Sequence, residues 1–159
     1  MTRRLVCLGA LVSWGLVSQP PERFVLVIQY PPDQKIKLPF FRTGGAEKIS
    51  AEGEVRRRQA TRVKVELKDA PAPSAVHPQA QSWVLWAVDA DGAFTRLGSF
   101  DGKNLDVETP LTSFGLVISA EPDAAASAPK GVFVLETHFP DKKTRYFGMT
   151  KVVYSGKKE

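Results

Sequence analysis

The run Ser82-Trp83-Val84-Leu85-Trp86-Ala87-Val88 meets a tight turn at Asp89-Ala90-Asp91-Gly92. It returns through Phe94 and Arg96-Leu97-Gly98-Ser99-Phe100. β-Branched and aromatic residues fit a pleated, buried surface, and an Asp/Gly turn reverses the chain between two strands. The segment predicts a buried β-hairpin and commits the chain to antiparallel β structure. It carries no catalytic or ligand-binding residue at a diagnostic spacing. Asp89 to Gly92 resembles a fragment of a calcium loop, but the remaining oxygen ligands and the closing glutamate are missing. A hairpin turn accounts for it.

The flanking sequence extends this pattern. In Arg62-Val63-Lys64-Val65-Glu66-Leu67-Lys68, apolar and charged residues alternate, so one strand face is buried and the other is wet. Further strands are expected at Arg23–Tyr30, Ile49–Arg57, Leu105–Glu108, Phe114–Ser119, Val132–Glu136, Arg145–Met149 and Lys151–Tyr154. Residues 33–46, with Pro39, Gly44 and Gly45, read mainly as loop, as does the proline-rich segment Asp69–Gln81. Ala124-Ala125-Ala126 suits a helical turn confined by Pro122 and Pro129. Seven or more short strands with frequent turns predict an all-β chain, a single antiparallel β-sandwich over residues 23–154 with a basic tail at 155–159.

The first residues read as an export signal. Thr2-Arg3-Arg4 precedes an apolar run from Leu5 to Val17, and Ser18-Gln19-Pro20-Pro21 ends it. About 13 residues is short for a membrane span, which needs roughly 20, but suits a signal-peptide core. Residues 1–18 are therefore expected to be a signal peptide or an uncleaved anchor, with the protein extracytoplasmic, periplasmic or secreted. Val6-Cys7 stands where a twin-arginine signal has an aromatic-leucine pair, and Val6 is too large for a lipoprotein signal. Cys7 is the single cysteine, so the mature domain has no disulfide and no thiol chemistry. Without Arg3 and Arg4 the formal charge falls from +5 to +3, well short of the basic field of a nucleic-acid binder.

Three segments together resemble the extracytoplasmic C-terminal domain of anti-sigma-K-type factors. They are Val63–Leu67, the hairpin from Trp83 to Phe100, and Phe114-Gly115-Leu116-Val117-Ile118-Ser119-Ala120-Glu121-Pro122 continuing through Ser127, Pro129 and Gly131. The resemblance covers residues 50–136 and implies an immunoglobulin-like sandwich working outside the cytoplasm. Ala124-Ala125-Ala126 replaces that family's glycine pair, and only the signal-like segment precedes the sandwich. The resemblance therefore implies fold and membrane side, but not sigma-factor binding.

Candidate sites are few. His77 and His138 lack the partner spacing of a zinc site or a hydrolytic triad and read as surface histidines. Glu108, Glu121, Asp123 and Glu136 are scattered, and no spacing marks a catalytic pair. Arg56, Arg57, Arg58, Arg62 and Lys64 form the densest charge cluster. They read either as a strand edge protected by charge or as a contact for anionic envelope groups such as lipid heads or acidic glycans. No aromatic platform interleaves with them, which argues against single-stranded nucleic acid. Trp86 shares parity with Val84 and Val88 and is expected on the inner face of its strand. Trp83 then faces outward with Leu85 and Ala87, under the N-terminal strand or the 69–81 loop; uncovered, it would be a binding patch. The expected function is an exported, non-enzymatic module of the cell envelope, with no cofactor or metal. Its partner is an envelope protein or an anionic component, not nucleic acid, and the membrane is touched only through the N-terminal segment. The alternative is a membrane-anchored regulatory sensor related to anti-sigma factors.

Overall fold

The computed structural model describes residues 22–43, 47–138 and 147–155, with side chains over 25–43 and 47–138. The signal-like segment 1–18 lies outside the described residues, as do Arg145, Tyr146 and most of the basic tail. Ten strands form among the described residues: β1 (Glu22–Gln29), β2 (Lys35–Arg42), β3 (Ser50–Arg57), β4 (Thr61–Lys68) and β5 (Ser82–Val88). There follow β6 (Phe94–Ser99), β7 (Asn104–Thr109), β8 (Ser113–Glu121), β9 (Val132–Thr137) and β10 (Phe147–Ser155). All ladders between them are antiparallel. The chain is all-β, and its antiparallel sheet curls into a sandwich nearly closed as a barrel.

One layer runs β6-β5-β8-β9 and the other β3-β4-β7. β2 belongs to both, pairing with β3 through Lys35–Pro39 and with β9 through Phe40–Arg42. The expectation of a loop over residues 33–46 is therefore corrected for Lys35–Arg42, while Gly44 and Gly45 lie outside the described residues. Ile36 and Leu38 are buried in strict alternation with Lys35 and Lys37, and Pro39 sits where the strand changes partner. Proline lacks the N–H of a ladder, so it is tolerated at such a corner and read too strongly as a breaker. On the opposite side, β6 and β7 meet through side chains. A Cβ at Gly98 would lie 3.1 Å from Leu105, so glycine lets the edges approach.

The main core lies between the layers and takes Ile36, Leu38, Val55, Val63, Val65 and Leu67 from one, and Leu85, Ala87, Leu116 and Ile118 from the other. Trp83 belongs to this core and Trp86 does not, which inverts the expected faces of β5. Both faces of β5 are buried, so apolar parity alone carried no direction. On its outer side Val84 and Trp86 pack against Ala126 from the 122–131 loop, while Val88 packs with Val25 and Val27 of β1. Ala124 and Ala125 form a turn rather than a helix, held by Asp123 Oδ1 accepting from the Ala125 N–H at 2.8 Å. The loop 69–81 holds one short 3-10 turn, Pro73–Ala75. Two close approaches fix the ends of the outer layer. A Cβ at Gly131 would fall 1.7 Å from the Ala120 carbonyl oxygen, and one at Gly115 would fall 2.6 Å from that of Leu26.

Candidate functional site

Strand order turns the scattered charges of the sequence into rows. Alternation over Lys35–Leu38, Ser50–Arg56, Thr61–Leu67 and Asn104–Thr109 turns the apolar residues inward and the charged residues outward. Register then places Lys35, Arg56, Arg62 and Glu108 directly opposite one another across four strands. The next row is Lys37, Glu54, Lys64 and Asp106, and the one after brings Glu52 against Glu66. Like charges directly opposed on one sheet face are unfavourable. The first row contains three consecutive cations.

The predicted basic cluster is divided by this arrangement. Arg62 is forked onto Asp106, its Nε and Nη2 donating to the two carboxylate oxygens at 2.8 and 2.7 Å. Those hydrogen bonds, followed by the charges of Arg62 and Lys64, hold the Asp106 carboxyl below the usual aspartate range. The same bond raises the Arg62 guanidinium further above its already high value. Lys64 Nζ lies 4.0 Å from Asp106 Oδ2. Arg57 leaves the group: its Nη1 donates to the Tyr30 carbonyl at 3.0 Å, and its own carbonyl accepts from the Asp33 N–H at 2.8 Å. It fastens the β1–β2 turn to the end of β3. Arg58 stands 3.9 Å from Asp33, both exposed.

Lys35 and Glu54 join Arg56, Arg62 and Lys64 from outside the predicted cluster. Lys35 pairs with Glu54 at 2.9 Å and completes the cation row. Arg56 lies between Lys35 and Arg62, and among the described residues no carboxylate pairs with it. Together Lys35, Glu54, Arg56, Arg62 and Lys64 line a shallow depression of about 190 Å³. A larger hollow of about 780 Å³ opens beside it over Arg58, Gln59 and Glu108. Lys35 has only its alternation with Ile36 to mark it in the sequence. Its place in the row follows from Lys35–Arg42 being a strand paired with β3.

Trp83 is 6% exposed and its Nε1 donates to the Pro71 carbonyl at 3.1 Å, so the 69–81 loop covers it. It contributes packing and no free surface. Asp89 caps the hairpin turn, its Oδ1 accepting from the N–H groups of Asp91 and Ala93 at 2.9 Å each, with Gly92 at a φ of 80°. Glu121 is fully buried and accepts from Ser119 Oγ at 2.5 Å and from the N–H groups of Lys130 and Gly131. Glu136 pairs with His138 at 3.0 Å beside Phe41, whose ring lies 4.7 Å from the imidazole. Glu108 stands apart on the charged face and Asp123 caps its own turn. His77 lies in the 69–81 loop, where its carbonyl accepts from the Ala80 N–H at 2.9 Å. Apart from Glu108, which lines the larger hollow, these residues are engaged locally, and no metal-binding group of His, Cys, Asp and Glu occurs among the described residues. No helix among the described residues is long and apolar enough to cross a membrane. No protein-family model, curated protein or solved structure matches the chain.

Proposed function

We propose that the chain is an exported, non-enzymatic β-sandwich module of the cell envelope that engages anionic envelope groups through the charged β2-β3-β4-β7 face. The observation that carries this reading is the cation row Lys35–Arg56–Arg62, set in register on an exposed sheet face. Such a row costs stability on its own, and an anionic partner relieves it. The basic start, apolar core and Ser18-Gln19-Pro20-Pro21 stop of the first residues support export, as does the resemblance to anti-sigma-K-type C-terminal domains. The local engagement of Glu121, Asp123, Glu136 and His138 supports a binding role over a catalytic one.

The test is co-sedimentation of the full chain with vesicles of anionic lipid, and retention on an immobilised acidic glycan, at low and high salt. Binding should fall steeply with salt and drop in a variant carrying Arg56→Ser and Arg58→Ser, with Arg57 kept for its structural bond. Undiminished binding by that variant retires the charged face. A membrane-bound fraction that resists salt and retains residues 1–18 would instead favour the anchored sensor.

A further inference from the structure

Resting on that reading, we infer that the depression centred on Arg56 is a phosphate-group site, with Lys35 and Arg62 as its lateral donors. Adjacent strands lie about 4.8 Å apart, so side chains directly opposed on three strands present three cations within reach of a single small anion. Lys35 and Arg62 are steadied by Glu54 and Asp106, at 2.9 Å and 2.7 Å, and so stay beside Arg56 despite the repulsion. Those three bonds leave two of the three ammonium N–H groups and three of the five guanidinium N–H groups unspent. Arg56 supplies a complete guanidinium fork between them, without a carboxylate partner among the described residues.

The shape of the donor set selects the ligand. A carboxylate offers two coplanar oxygens, which a single guanidinium engages side by side, as Arg62 already does for Asp106. A phosphate group is tetrahedral, and its oxygens point in several directions. It takes the Arg56 fork on two of them while a third accepts from Lys35 or Arg62. The 190 Å³ depression holds one such group but is too shallow to enclose the molecule carrying it. The site therefore reads the phosphate and leaves the rest of the ligand in solvent.

The experiment measures thermal unfolding and amide chemical shifts of the full chain. Sodium phosphate, acetate and chloride are compared at matched ionic strength and neutral pH. Phosphate is expected to raise the melting temperature saturably and to shift the amides around Lys35, Arg56, Arg62 and Lys64, while acetate behaves like chloride. Arg56→Gln should weaken the phosphate response roughly tenfold or more, the loss of one charge-assisted fork. The same variant should unfold at a higher temperature than the parent in low-salt chloride, because the row then holds two cations instead of three. Lys130→Gln makes an equal charge change on the 122–131 loop and should respond to phosphate as the parent does. A parent chain that phosphate does not saturably stabilise overturns the site, and so does an Arg56→Gln variant that keeps the full response. Vesicles with phosphate-monoester headgroups and an unphosphorylated hexuronate polymer form the remaining arms. Capture by the vesicles, reversed by free phosphate, identifies a lipid headgroup as the source of the group; a response to soluble phosphate alone identifies a soluble phosphorylated ligand. Binding of the hexuronate polymer without any phosphate response overturns the phosphate site but leaves the anionic-envelope reading standing. Loss of both removes both.

Discussion

At the scale of single residues, the most consequential group is Glu121, a fully buried carboxyl group that accepts from three donors. Trp86 Nε1 donates to Ser119 Oγ at 2.8 Å, Ser119 donates to one Glu121 oxygen, and the other accepts from Lys130 and Gly131 at 3.0 and 2.8 Å. The chain of bonds ties β5 to β8 and closes the base of the 122–131 loop, whose Ala126 covers Trp86. Removing the carboxylate leaves two backbone N–H groups and a hydroxyl without their acceptor in a dry environment. Glu121→Ala is therefore expected to lower stability by about 3 kcal/mol in chemical denaturation, at the upper end for leaving buried hydrogen-bonding groups unsatisfied. It should also red-shift the Trp86 emission as the loop lifts. Unchanged stability and emission would mean that apolar packing alone holds the loop.

At the scale of strands, the Arg62–Asp106 pair joins β4 to the edge strand β7, and its contribution has a defined pH dependence. The bonds from Arg62 lower the Asp106 pKa in the folded chain relative to the unfolded one, so protonation favours unfolding. The stability it adds is fully present above the ordinary aspartate value of about 3.9 and is lost as pH falls through the lower folded value. Both groups are exposed, so the increment is small and salt-sensitive. Asp106→Asn should flatten the acid limb of the melting-temperature profile below about pH 4 and leave the profile above pH 6 parallel to the parent. The pairing itself was hidden in the sequence. Alternation identified β4 because one of its faces is buried, and apolar runs identified β5, β8 and β9 because both of theirs are. Neither pattern says that β7 lies beside β4, or β2 beside β3, so Asp106, Glu54 and Lys35 had no visible link to the arginines. Arg57 shows the converse: adjacent to Arg56 in sequence, it is turned to the Tyr30 carbonyl by the β1–β2 turn.

At the scale of the whole molecule, the question is whether the two apolar regions behave as one cooperative unit. The main core lies between the layers, and the smaller clusters lie outside β5 and β8, under the 122–131 loop and β1. β5 is the structural link, with Trp83, Leu85 and Ala87 facing one side and Val84, Trp86 and Val88 the other. β8 repeats the arrangement, with Leu116 and Ile118 inward and Val117 outward. Neither layer of side chains can leave without freeing the backbone that positions the other, so the domain should unfold in a single transition. Two single-tryptophan chains test this. Both carry Trp14→Phe; one adds Trp86→Phe and so reports the main core through Trp83. The other adds Trp83→Phe and reports the outer cluster through Trp86. After normalising for the change in stability each substitution brings, fluorescence and far-ultraviolet circular dichroism should give coincident urea transitions within each chain. An early fluorescence transition confined to the Trp86 reporter would show the 122–131 loop opening as a separate unit, with the sandwich intact beneath it.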